Sequence, residues 1–175
     1  MNIFMLHEKI AEVCPIDGVA KRHDGTYRID YRAEATTEQR EAAQAIVGAW
    51  PLHEARAAAA ERVQTGHTAA LAAGVTVGQI KLRAEASDQI ALANGLNVAN
   101  AALIAGTSNS VNVSNIFGRG VTDYDNNSHD MTLAQYLQLS LGYANAIGTL
   151  QATLALKTAQ ANAAETIEAA QAIDW

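Results

Sequence analysis

Between Asp88 and Arg119, and again between Asp130 and Lys157, the chain carries no Asp, Glu, Lys or Arg, although both stretches are dotted with Asn, Gln, Thr and Ser. A helix of an isolated soluble protein normally turns a charged face to water and an apolar face to its core. Helical stretches without charge therefore point to surfaces covered by neighbours, and the expectation is a chain that works as part of an assembly.

A membrane span and intrinsic disorder both fail on the residues. The stretch 133–156 is long enough to cross a bilayer, but Gln135, Gln138, Ser140, Asn145, Thr149, Gln151 and Thr153 are spread around its circumference, where lipid contact would exclude most of them. No membrane span is expected. Disorder fails because the leucines recur at helical spacing and the hydrophobic fraction is 49%, too high for a chain that cannot offset its ordering entropy.

A length of 175 residues fits one domain, or one domain with a small appendage. The formal charge of -6, from 12 basic and 18 acidic residues, provides no basic stripe to neutralise a phosphate backbone, so no nucleic-acid partner is expected. Cys14 is the only cysteine, which leaves no intramolecular disulfide and no thiolate cluster and suggests synthesis in a reducing compartment. Residues 1–6 lack the basic start and long apolar run of a secretion leader, so the chain is expected to be made and first folded in a cytoplasm.

Along the chain, residues 3–13 predict a short helix ended by Pro15. Asp17-Gly18 and Asp24-Gly25 punctuate the next stretch, and residues 26–31 alternate as a strand with Tyr27, Ile29 and Tyr31 on one face. Thr36-Thr37-Glu38-Gln39 is a capping box, from which a helix should run to about Trp50, with Pro51 breaking it or beginning the next one. Residues 52–73 are alanine-rich and helical by propensity, weakened locally by Gly66, with Gly74 placed as a C-terminal cap. Val75-Thr76-Val77, Gly78, Ile80 and Leu82 then predict a short hairpin.

Ser87 is placed to cap a helix reaching about Ala105, along which Leu92, Leu96, Ala99 and Leu103 fall on one face. A second line, Ile90, Asn97 and Ile104, recurs at steps of seven with what reads as a buried amide at its centre, a pattern that fixes register at some cost in stability. Residues 106–130 form a break rich in Asn, Ser and Gly, with short strands expected at 111–117 and 120–124. Thr132 with Gln135 makes a second capping box, and Tyr136, Ser140, Tyr143, Ile147, Leu150 and Leu154 line one face of a long helix, with Leu133, Leu137, Leu141 and Ala144 on another. One of the two faces can be spent on the domain's own core. The other needs a copy of the same chain, unless both are internal with the chain's own β segments covering one of them, and self-association is the expectation.

The fold class expected is therefore α+β, mostly α: long antiparallel helices with short β-hairpins. A small mixed N-terminal module covers residues 1–50 and a helix-rich domain covers 51–175. The residues expected at an interface are Leu92, Leu96, Leu103, Tyr136, Tyr143, Ile147, Leu150, Leu154 and Trp175. Among the sparse aromatics, Trp50, Phe117, Tyr136, Tyr143 and Trp175 fit interface anchors and core packing equally well.

Chemistry-bearing patterns are few. Asp123-Tyr124-Asp125-Asn126-Asn127-Ser128-His129-Asp130 offers oxygen ligands, but a helix-loop-helix calcium loop needs glycine at its sixth place and glutamate at its twelfth, where this chain has Ser128 and Ala134. A solvated turn is the reading. His7, His23, His53, His67 and His129 contain no pair at i, i+4, so no metal site is expected. Cys14 and His7 lack a third orienting group, and Gly74-x-x-x-Gly78 lacks the Lys-Ser/Thr of a P-loop. No catalytic residues, metal or cofactor are expected.

One resemblance bears on function. The stretches Val75-Thr76-Val77-Gly78-Gln79-Ile80-Lys81-Leu82, Thr132-Leu133-Ala134-Gln135-Tyr136-Leu137, Thr166-Ile167 and Ala172-Ile173-Asp174-Trp175 resemble, in order and spacing, a bacteriophage and prophage domain of unknown function. That domain forms the C-terminal part of many tail-fibre-associated proteins. The resemblance spans residues 53–175, and departs from the pattern at Gln79, in the lack of a central β tryptophan, and in a longer loop at 118–130. Upstream, Cys14-Pro15-Ile16-Asp17-Gly18-Val19 and residues 35–43 resemble the N-terminal module of small phage tail proteins.

The resemblance implies a structural, non-enzymatic role in the tail, fibre attachment or baseplate of a virion. It also implies a homo-oligomer, with three copies expected from the usual symmetry of fibres, and other tail or fibre proteins as partners. A fibre-assembly chaperone that leaves the finished particle is the alternative.

Overall fold

The structure, a computed structural model, describes residues 3–175. It is an α+β fold, mostly helical. Among the described residues there are six helices and three two-stranded antiparallel sheets. The chain divides into two compact units, Met1–Glu61 with Ala159–Asp174, and Arg62–Thr158 with Trp175. The division at Glu61/Arg62 falls inside a helix, and the first unit includes a C-terminal segment.

In the first unit, α1 (Ile3–Ala11) packs on the hairpin of β1 (Ile16–Lys21) and β2 (Tyr27–Tyr31). β2 is the strand expected from its alternation, and Ile29 is its buried member. β1 is hidden in the sequence by Asp17-Gly18, which the hairpin absorbs as an irregularity in register between Ile16 and Gly18. At the turn, the Asp24 carboxylate accepts from the Thr26 amide at 2.9 Å and the Thr26 hydroxyl at 2.6 Å. The hydroxyl bond, the larger of these two causes, and the amide bond hold Asp24 below the usual carboxylate range. Leu6, Ile10, Cys14 and Ile16 close the core with Ala43 and Trp50.

Ala43 and Trp50 belong to α2 (Thr37–Ala73), a helix of 37 residues. Its start is the expected capping box: the Thr36 amide donates to Gln39 Oε1 at 2.9 Å, and the Gln39 amide to Thr36 Oγ1 at 3.3 Å. Pro51 neither ends the helix nor starts another; it lies within it. An interior proline costs about 3 kcal/mol through the lost donor and ring clash. Here Trp50 is buried beside it and its ring lies 4.7 Å from that of His53 one turn on, so tertiary packing holds the backbone helical across the proline. α2 ends where expected, at Gly74, whose φ of 76° belongs to glycine and whose amide donates to the Leu71 carbonyl at 3.0 Å.

In the second unit, β3 (Val75–Val77) and β4 (Ile80–Leu82) form the expected hairpin. α3 (Ala86–Ile104) begins one residue before Ser87, with Glu85 at its N-cap and no side-chain cap bond, so Ser87 is a helical residue and not the cap. The segment expected as a strand at 111–117 makes a single bridge, Asn112 to Thr132, and then the helical turn α4 (Ser114–Phe117). Asp130 is the reason. Its carboxylate takes the Asn112 amide group at 2.8 Å, the Ser114 hydroxyl at 2.9 Å and the Ser114 backbone amide at 3.2 Å, which satisfies the start of a turn and draws the chain out of pairing.

The two-residue strands β5 (Val121–Thr122) and β6 (Ser128–His129) pair next, and α5 (Leu133–Ala163) comes after them. Its capping box is also present, with the Thr132 amide donating to Gln135 Oε1 at 2.9 Å and the Gln135 amide to Thr132 Oγ1 at 3.3 Å. The core joins Val75, Leu82, Ala99, Val113, Leu133 and Tyr143 with their neighbours. Gly142 lets β3 settle on α5, because a Cβ there would meet the Val77 side chain. The short α6 (Ile167–Gln171) belongs to the first unit and is capped by Thr166, whose hydroxyl accepts from the Ala169 amide at 3.1 Å. No helix of the described residues is long and apolar enough to cross a membrane.

Candidate functional site

The second unit contains a cleft of about 730 Å³ bounded by α3, α4 and the β5–β6 hairpin, with α5 beneath. Tyr136 and Tyr143, one buried to 3% exposure and the other to 4%, supply its polar floor. The Tyr136 hydroxyl donates to the Leu92 carbonyl at 3.3 Å and the Tyr143 hydroxyl to the Arg83 carbonyl at 2.9 Å. Gly95 is what admits Tyr136: a Cβ on that residue would collide with the phenol oxygen. Phe117 meets the Tyr136 ring edge-on, with centroids 5.1 Å apart.

Burial pushes both phenols up. At Tyr143 burial, the larger cause, acts together with the nearby Asp88 carboxylate, and the two take that hydroxyl to about 12. Both are therefore fixed donors at neutral pH, committed to backbone carbonyls.

The cleft gathers four charged residues, two of them already occupied. Arg83 donates to Asn126 Oδ1 at 2.6 Å and reaches the Tyr124 carbonyl at 3.3 Å. Asp123 contacts His129 Nε2 at 2.8 Å and accepts from the Asn127 and Asp125 amides at 2.8 Å and 3.0 Å. The bond to His129 is the largest influence on Asp123, reinforced by those to Asn127, and together they hold its carboxyl down to about 2. The loop expected as a solvated turn is thus tied together by its own acids, and Asp130 is likewise drawn below its usual range, first by the Ser114 hydroxyl. Among the described residues no group of three His, Cys, Asp or Glu is placed to hold a metal ion.

The remaining two, Asp88 and Arg119, have side chains with no hydrogen-bond or ion-pair partner among the described residues; the first is half-buried and the second exposed. They are the residues that bracket the first charge-free stretch. Neither stands out in the sequence as a site residue. The only signal is that boundary, and only the fold brings its two ends to one cleft.

The residues expected at an interface fall mainly inward. Tyr136 and Tyr143 are core residues, and Leu92, Leu103, Ile147 and Leu150 are partly buried against that core. Leu96 and Leu154 are half-buried. The other face of α5 is in part internal as well: Leu133 is buried, Leu137 packs on the core, and Leu141 stays 64% exposed. Trp175 is half-buried and sets its ring edge-on to His67. Asn97 is exposed, not buried, and so are its neighbours at steps of seven, Ile90 and Ile104. The chain matches no protein-family model, no curated protein and no solved structure.

Proposed function

We propose that the chain is a structural component of a bacteriophage tail, at the fibre, its attachment or the baseplate, and that it acts by packing against copies of itself and against other tail proteins. The observation that carries this reading is the outer surface of the charge-free helices. On α3, Ile90 and Ile104 are 62% and 89% exposed, and on α5 Leu141 and Leu156 are exposed. No charged residue stands between Asp88 and Arg119 or between Asp130 and Lys157 to keep those faces hydrated. A surface that leaves large aliphatic side chains in water without charges among them favours association.

The resemblance of residues 75–82, 132–137 and 172–175 to the phage tail-associated domain supports the same reading and supplies the biological setting. The arrangement of the cleft agrees with a binding role, since its phenols are committed to backbone carbonyls and Asp123 to its own loop.

Size-exclusion chromatography with light scattering on the full chain tests the association. A molar mass two or more times that of the 18.5 kDa chain is expected, and a stable monomer at high concentration overturns it. Protein composition of purified particles then separates a retained tail component from an assembly chaperone that departs.

A further inference from the structure

We propose that the cleft over Tyr136 and Tyr143 is a docking groove for a short peptide segment of a partner protein. That segment presents a bulky apolar side chain between a basic residue, which meets Asp88, and an acidic one, which meets Arg119.

Size comes first. A cleft of about 730 Å³ is in the range of sites that enclose a ligand of several residues' bulk. Its walls are apolar where Leu92, Val98, Ile116, Phe117 and Val121 contribute, so the body of the occupant is apolar.

Charge then narrows the occupant. Asp123 is taken up by His129 and its own loop and Arg83 already donates to Tyr124 and Asn126, which leaves Asp88 and Arg119, one acid and one base, as the charged side chains of the cleft with no hydrogen-bond partner among the described residues. A polyanion such as nucleic acid meets Asp88 and Asp123 in the same cleft, and a pure hydrocarbon leaves Asp88, Asn94 and Arg119 unsatisfied on its surface. A segment carrying both signs satisfies both ends. Asp88 also lies in the first turn of α3, where a carboxylate complements the helix dipole, but that does not account for Arg119 in the same cleft.

The inference rests on the assembly reading only in drawing the segment from a partner protein. Light scattering reports on self-association and peptide binding reports on the cleft, so each can fail alone.

The test is an array of immobilised hexapeptides in which basic, acidic, neutral polar and large apolar residues are permuted, probed with the fluorescently labelled full chain. Retained peptides are expected to be enriched in an apolar residue flanked by one basic and one acidic residue. Asp88→Asn should remove the preference for the basic residue and weaken the best peptide by about tenfold or more, and Arg119→Ala should do the same for the acidic one. Asp88→Lys should shift selection to an acidic residue at the first position, a change that a merely destabilised fold does not produce. Circular dichroism of each variant checks that it is folded. Absence of enrichment with the unaltered chain, or enrichment that is unchanged in both single variants, overturns the proposal.

Discussion

The indole of Trp175 stands edge-on to the imidazole of His67, with ring centroids 5.3 Å apart and planes at 67°. His67 is 5% exposed, and its Nε2 has no hydrogen-bond partner among the described residues. The same indole explains a residue that looks like a flaw in α2. Gly66 lowers helix propensity, yet a Cβ there would collide with Cβ and Cγ of Trp175. Gly66→Ala gains about 0.5–1 kcal/mol of helix propensity but forces the indole aside at a cost of about 1–3 kcal/mol. A net loss of stability in urea titration is expected, together with a red shift of tryptophan emission. A more stable Gly66→Ala protein would show that the indole moves without cost.

Gly95 and Tyr136 form a second close pair, and a double-mutant cycle reads it. Tyr136→Phe alone removes one hydrogen bond to the Leu92 carbonyl and should cost about 1 kcal/mol. Gly95→Ala alone drives a methyl into the phenol oxygen and should cost more. Together they relieve each other, so the double variant should be less destabilised than the sum by about 1 kcal/mol, and strict additivity would refute the contact.

Acid should loosen the β5–β6 loop. Asp123 is held at about 2, against an ordinary 3.8, chiefly by His129. A carboxyl depressed in the folded state stabilises fully above its unfolded value and loses that contribution as pH falls toward the folded one. The window is therefore from about pH 4 down to about pH 2. Amide NMR signals of Asp125 and Asn127, both bonded to Asp123, should titrate there, and Asp123→Asn should abolish the titration without moving the core signals.

The association surface is tested at Ile104, which is 89% exposed. Ile104→Asp should leave the thermal unfolding of the chain within about 0.5 kcal/mol of the original if measured as a monomer, while lowering the molar mass seen by light scattering. Ile147→Asp is the contrast: that side chain packs against the core, so the substitution should unfold the second unit rather than separate copies. Equal molar mass for Ile104→Asp and the unaltered chain would remove Ile104 from the interface.

What is legible in the sequence is what is local. The boxes at Thr36/Gln39 and Thr132/Gln135 are visible because a side chain and an amide three residues apart settle the matter between themselves. Gly74 is visible because its φ excludes most other residues. Pro51 and Ser87 mislead for the opposite reason: the packing of Trp50 carries α2 through a proline, and α3 begins at Ala86 regardless of a good capping residue at the next position. Periodicity shows which faces of α3 and α5 are apolar but not what covers them, so it points Tyr136 and Tyr143 toward a partner when they lie in the chain's own core. Asp88 and Arg119 are separated by the entire charge-free stretch, and nothing short of the fold places them around one cleft.

The proline inside α2 carries one more implication. With no N–H on Pro51, the carbonyl of Val47, half-buried one turn earlier, loses the donor that a helix normally supplies four residues on. Strain applied along the helix will concentrate at that turn, where bending breaks no backbone bond. Residues on either side can then exchange their amide protons through separate openings, so one continuous rod in outline behaves as two coupled segments.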